Sequence, residues 1–141
     1  MHVQILLVRV FGFLFSHESR RADYTESVDN ALPLETSPQD VKQSLDAGRR
    51  LFLIDVREPV EFELARIQGA ELIPMRSVPS DLQRLEAWSD QGPLIVYCHH
   101  GVRSMNVVNW LREQGIAHCQ SMAGGIDRWS REIDPSVPQY S

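Results

Sequence analysis

Apolar positions recur with two different periods along this chain, and the changes of period mark its elements. Four short runs read as strands: "RLFLID" (50–55), "GAELIPM" (69–75), "PLIVYC" (93–98) and "IAHCQSM" (116–122). The first and third are almost continuously apolar, the mark of strands buried on both faces. Between them the period lengthens. "TSPQDVKQSLDAG" (36–48) predicts a helix with Ser37 as cap, Pro38 in the first turn, Gly48 at the end, and Val41 and Leu45 on one apolar face. "PVEFELARI" (59–67) predicts a short helical turn after Pro59. "VPSDLQRLEAWSD" (78–90) predicts a helix capped by Ser80 or Asp81, with Leu82, Leu85 and Trp88 inward. "SMNVVNWLREQG" (104–115) predicts a helix with Val107, Val108 and Leu111 in one stripe. "AGGIDRWSREI" (123–133) reads as a glycine turn and a final helix, and "DPSVPQYS" (134–141) as a tail.

Strands that alternate with helices favour an α/β fold, an open and mainly parallel sheet with helices on both faces. Ligands of such sheets bind outside the carboxyl ends of the strands. Two of those ends concentrate polar chemistry: "DVRE" (55–58) and "CHHGVRS" (98–104).

The amino-terminal stretch does not join this alternation. "VQILLVRVFGFLF" (3–15) is apolar but contains Arg9, and its thirteen residues fall short of a membrane span, which needs roughly 18. It also lacks the basic start and small-residue cleavage site of a signal peptide. It reads as a strand or short helix packed on the domain or on a partner. "SHESRRADYTESVDN" (16–30) reads as a polar linker.

The 141 residues suit one domain with a short extension, and the 43% hydrophobic and 23% charged fractions are those of a soluble globular chain. A net charge of -5 argues against nucleic acid as a partner. Two cysteines, Cys98 and Cys119, exclude a disulfide scaffold and suit a reducing, cytoplasmic setting. The five histidines have no metal-binding spacing, so neither a metal nor another cofactor is expected.

Cys98 is the candidate for chemistry. The thiolate is the reactive form of cysteine. The loop after Cys98 leads into a helix amino terminus, which carries positive partial charge and unpaired N–H groups. Gly101 permits a tight curl of those groups around an anion, Arg103 adds a fixed positive charge, and Ser104 can cap the helix and donate to the sulfur. The anion in that cradle could be a thiolate, a persulfide or an oxyanion attacked by sulfur. The plainer reading makes Cys98 a small buried residue and Arg103 a surface charge. Cys119, mid-strand, reads as packing.

"CHHGVRS" resembles the active-site pattern of the rhodanese-like family: a cysteine, two residues, glycine, one residue, arginine and serine. Two further blocks are similar in the same order. "LFLIDVREPVEFELARIQGAELIPM" resembles the family's Asp-Val-Arg-Glu turn and Ile-x-Gly-Ala run, and "MAGGIDRWSREIDPSVPQY" its closing Gly-Gly-x-x-x-Trp helix. The resemblance covers roughly residues 34–140, which divides the chain into a 1–30 segment and a 31–141 rhodanese-like domain. It implies a sulfurtransferase in which Cys98 accepts a sulfane sulfur from a donor such as thiosulfate and passes it to a thiol, cyanide or protein acceptor. It implies that His99, His100, Gly101, Val102, Arg103 and Ser104 cradle the sulfur, with Arg103 bracing the loop. Arg57 and Asp55 would order the pocket wall; a salt bridge closing the strand end is the better reading of Asp55. The family often has Gly-His where Ala65 and Arg66 stand here, so backbone freedom and a local hydrogen bond are expected to differ.

Two rivals stand beside this reading. A cysteine phosphatase or arsenate reductase of related fold has five residues between cysteine and arginine. Here four intervene, too few N–H groups to surround three phosphate oxygens. A sulfur carrier or regulatory module with a dedicated partner is the other, with the apolar 3–15 segment as its docking element.

Overall fold

A computed structural model describes residues 32–141 of the chain; the expectations for the apolar segment and linker lie outside the described residues. Five strands form one parallel sheet: β1 (Glu35–Thr36), β2 (Phe52–Asp55), β3 (Glu71–Leu72), β4 (Leu94–Tyr97) and β5 (Cys119–Met122). Their order is β1-β5-β4-β2-β3. The helices are α1 (Pro38–Asp46), α2 (Pro59–Leu64), α3 (Leu82–Ser89), α4 (Val102–Glu113) and α5 (Gly125–Glu132). This is the open α/β architecture that the alternation of periods implies.

Each face of the sheet has its own core, and side-chain parity along the strands divides them. Ile54, Val56, Leu94, Val96 and Cys98 lie in one core with Leu85 of α3 and Val107, Val108 and Leu111 of α4. Leu53, Ile95, Tyr97 and Met122 lie in the other with Val41 of α1 and Ile126 and Trp129 of α5. Full burial of each large aliphatic side chain contributes roughly 1.5–3 kcal/mol relative to exposure. Strands buried on both faces therefore carry the long apolar runs seen in the sequence.

Several local expectations need correction. β1 has only two residues, too few to show a period, and it forms by pairing Glu35 and Thr36 with Ser121 and Met122 of β5. Ser37 does cap α1, accepting a hydrogen bond from the Asp40 N–H at 3.0 Å. Leu45, however, is exposed and does not share the buried face of Val41. A 3-10 stretch over Met75–Asp81 precedes α3, and no side chain caps that helix. The Leu82 N–H donates to the Pro79 carbonyl instead. β5 begins at Cys119 rather than Ile116.

The path of the chain fixes where a ligand site belongs. From β2 it runs outward to β3, then returns to β4 on the other side of β2 and continues to β5 and away. The connections after β2 and β4 thus leave in opposite directions from neighbouring strands, which pair Asp55 with Tyr97. Such a switch opens a crevice at the carboxyl ends of the strands. Both polar loops singled out in the sequence start there.

Candidate active site

Cys98 directly follows β4, and α4 begins four residues later at Val102. The turn between them is tight because Gly101, with φ 107°, adopts a left-handed conformation that favours glycine. The curl aims two backbone donors at the sulfur. Cys98 Sγ accepts from the Gly101 N–H at 3.1 Å and from the Ser104 N–H at 3.3 Å. These are first-turn donors that a helix leaves without intrahelical partners. The residue is only 1% exposed.

Ser104 takes a different part from the capping one expected. Gly101 is the N-cap, so Ser104 lies inside the first turn, fully buried. Its Oγ lies 3.4 Å from Cys98 Sγ and 2.7 Å from the Ser121 hydroxyl, and donates to the Gly101 carbonyl at 3.2 Å. The two hydroxyls can exchange donor and acceptor roles. The pair can therefore accept from a thiol and donate to a thiolate without moving a heavy atom.

Arg103 departs from expectation only in its partner. It was expected to give the sulfur a fixed positive charge and to brace the loop. Its guanidinium instead makes a two-pronged pair with Glu61 of α2, at 2.8 and 2.9 Å. The charge is therefore largely matched by a carboxylate, although it still interacts with Cys98, and the partial positive charge in contact with the sulfur comes from the backbone N–H groups. The pair still braces, by tying the β4–α4 loop to the β2–α2 side of the crevice. The Arg103 hydrogen bonds outweigh partial burial and hold the Glu61 carboxyl at about 2. Glu61 also accepts from its own helix start, at the Glu58 N–H (2.8 Å), and from the Tyr140 hydroxyl (3.0 Å).

Arg57, expected among the substrate contacts, is fully buried. Its Nη2 lies 2.6 Å from Asp55 Oδ2, and both side chains are out of solvent. The other donors go to the Ala65 and Glu61 carbonyls and the Tyr140 hydroxyl. With its donors engaged within the protein, Arg57 locks the end of β2, as the salt-bridge reading of Asp55 implies. Ala65 is extended, with φ -159°, so its Cβ meets no backbone penalty where the family often has glycine. Arg66 stacks its guanidinium over the Phe62 ring at 4.6 Å.

His99 and His100 diverge. The His99 ring is half-buried and stacks on Tyr140, with centroids 3.9 Å apart and planes 9° from parallel. Burial, then the neighbouring His100, lowers its pKa below the usual 6.5. His100 is 62% exposed, with Nδ1 3.8 Å from Asp127 of α5. Val102, 71% exposed, leaves an apolar side chain at the mouth of the loop. Cys119 is fully buried, its thiol donates to the Ile116 carbonyl at 3.3 Å, and burial raises its pKa. It packs in the core beside α4, as the sequence implies.

α5 presses against the loop from below. The Ile126 and Asp127 N–H groups donate to the Cys98 and His99 carbonyls at 2.9 and 3.1 Å. Gly125 allows this approach: a Cβ there would meet both carbonyl oxygens at 2.4 Å.

Glu61, Ser121, Asp127 and Tyr140 escaped the sequence reading. Glu61 had a signal, since it stands three residues after the helix-starting Glu58 in a capping box. The other three come from β5, α5 and the tail, and nothing in their own sequence surroundings points to Cys98.

The Rhodanese-like domain profile matches residues 37–132. Thiosulfate sulfurtransferase GlpE of Haemophilus influenzae is 36% identical over 106 residues, covering 75% of this chain and 96% of that protein. The probable adenylyltransferase/sulfurtransferase MoeZ of Mycobacterium tuberculosis is 34% identical over 104 residues, but the chain spans only 26% of that longer protein. Among solved structures, a rhodanese-related protein from Thermoplasma volcanium is similar with a TM-score of 0.64 and 28% identity, covering 77% of this chain and all of that one. The human single-domain sulfurtransferase TSTD1 shares the fold, with a TM-score of 0.63 and 24% identity over 72% of this chain and 98% of its own. With the profile spanning the sheet from α1 to α5 and the cysteine loop at its centre, the chain belongs to the Rhodanese-like domain family.

Proposed function

We propose that this domain is a sulfurtransferase that carries sulfane sulfur as a persulfide on Cys98. The observation that supports it is the cradle: one sulfur atom facing two backbone N–H groups and a hydroxyl pair at the switch point of the sheet. In the first step the Cys98 thiolate attacks the outer sulfur of thiosulfate. The S–S bond of thiosulfate breaks, sulfite leaves with the electron pair, and a Cys98 persulfide forms. In the second step a nucleophile attacks the outer persulfide sulfur and the Cys98 thiolate departs; cyanide becomes thiocyanate. This is two-step covalent catalysis. The Gly101 and Ser104 N–H groups hold negative charge on whichever sulfur bears it. Arg103 and Glu61 act by keeping the loop closed.

The names of the relatives favour sulfur transfer, and full-length coverage of the thiosulfate enzyme favours thiosulfate among donors. A protein acceptor is the second reading, and one observation favours it. Val102 on the loop, and Val60 and Leu64 on α2 beside the Arg103–Glu61 pair, expose apolar side chains around the site. Two free thiols suit a reducing compartment such as the cytoplasm.

The test is a side-by-side assay of wild type and Cys98→Ser with thiosulfate and cyanide, and with an aryl phosphate. Thiosulfate alone is expected to add one sulfur, about 32 Da by mass spectrometry, to the wild type and none to the variant, because oxygen cannot hold a persulfide. Cysteine-dependent phosphate release in excess of thiocyanate would overturn the assignment. No labelling by any sulfane donor would move the reading to a partner-binding module.

A further inference from the structure

Two histidines adjacent in sequence and an aspartate from another helix meet at the edge of the cysteine loop. One ligand atom from each of His99, His100 and Asp127 lies within 4.8 Å of the others. We propose that these three side chains form a binding site for a divalent transition-metal ion of the zinc class. Two imidazoles and one carboxylate are a donor set suited to zinc, copper or nickel and poorly suited to calcium or magnesium, which prefer all-oxygen shells. Three protein ligands leave a fourth, open position for water.

The fold brings the three together by backbone contacts made for another purpose. The Asp127 N–H is bonded to the His99 carbonyl at 3.1 Å, and Gly125 lets α5 approach that closely. The side chains of the two segments must then share one patch of surface. The His99 and His100 ring centroids are 3.9 Å apart, and His100 Nδ1 is 3.8 Å from Asp127 Oδ2. Donor atoms bound tetrahedrally to zinc at about 2.0–2.1 Å stand roughly 3.3 Å from one another. Separations of no more than 4.8 Å exceed that by at most about an ångström and a half. His100, more than half exposed, can swing to close the gap.

The surroundings are also those of a ligand set. Arg131 pairs with Asp127 Oδ2 at 2.9 Å and holds the carboxylate by charge, while Oδ1 accepts no hydrogen bond among the described residues. Tyr140 holds the His99 ring by stacking, and the buried His99 Nε2 has no hydrogen-bond partner among the described residues. Partners that fix a ligand's orientation strengthen a metal site. An ion held here would tie the two residues after Cys98 to α5.

The test uses zinc ion and the full chain carrying Cys98→Ser, which removes the reactive thiol as a ligand. Isothermal titration calorimetry is expected to show a site that weakens at least tenfold in His100→Ala and in Asp127→Asn. His118→Ala, a histidine away from the cluster, is expected to leave it unchanged. Imidazole NMR signals of His99 and His100 are expected to shift together at one equivalent. Melting temperatures without metal establish that each variant is folded. Equal zinc affinity in either cluster variant, or zinc bound only when Cys98 is present, would overturn the proposal. Because the readout is binding, the outcome is independent of sulfur transfer.

Discussion

Replacing Glu61 by glutamine tests the brace across the crevice with almost no change of shape. The carboxylate accepts four hydrogen bonds: Oε2 from Arg103 and the Glu58 N–H, Oε1 from Arg103 and Tyr140. A glutamine keeps one acceptor oxygen. Its amide nitrogen would face one prong of the Arg103 guanidinium, donor against donor, and two bonds are lost. Hydrogen bonds to charged groups contribute about 1.5–3 kcal/mol each when well buried, and exposed ion pairs about 0.2–1 kcal/mol. Glu61 is mostly buried and Arg103 about one-third exposed, which places each bond between these limits, at about 1 kcal/mol, and the loss of two at about 1.5–3 kcal/mol. For a domain of this size that lowers the melting temperature by roughly 5–15 °C.

The pH dependence distinguishes the ion pair from packing. The Glu61 carboxyl is lowered from its ordinary 4.5 to about 2 in the folded protein. A depressed carboxylate stabilises fully above its unfolded value, and that stability is lost as pH falls through the folded one. The gap between wild type and Glu61→Gln is therefore expected at full size from pH 7 down to about 4.5, narrowing toward pH 2. Urea denaturation at pH 7, 4 and 2.5 measures it. A gap below about 0.5 kcal/mol at pH 7, or one that stays constant on acidification, would refute the reasoning.

Three other substitutions probe separate supports. Arg57→Met strands the buried Asp55 carboxylate and is expected to destabilise by about 3–5 kcal/mol in chemical denaturation; a loss under 1 kcal/mol would mean that water enters the gap. Gly125→Ala drives a Cβ into the Cys98 and His99 carbonyls, so it is expected to lower both melting temperature and the rate of Cys98 alkylation or sulfur loading, and unchanged values of both would show that α5 can retreat freely. Tyr140→Ala uncovers the His99 ring, and its pKa, lowered chiefly by burial, is expected to rise toward the usual 6.5 in an NMR titration; an unmoved value would place the burial elsewhere.

The candidate nucleophile was legible in the sequence because strand end, loop and helix start are contiguous. The apolar run 94–97, the cysteine, Gly101 and the stripe of Val107, Val108 and Leu111 specify a local unit, and backbone N–H groups aimed at Cys98 follow from that unit alone. The sheet class was legible for a similar reason: burial on both faces forces the apolar runs, and the helices between them force parallel pairing. What surrounds the sulfur was not legible. Arg103 reads in sequence as a free positive charge beside the cysteine, yet its charge goes to Glu61, forty-two residues earlier. The bridge of Arg57 to Asp55, two residues away, was readable in its turn, but its full burial and its bond to Tyr140, eighty-three residues later, were not. Ser121, Asp127 and Tyr140 reach the site only because β5 lies beside β4, α5 abuts the loop and the tail folds back over His99. Charge and hydrogen-bond partners depend on distance in space, and sequence conveys that distance only within an element and its flanking turns. The chain itself determined the cysteine at the strand end and the backbone that cradles its sulfur; the tertiary structure decided which charges, hydroxyls and rings stand around it.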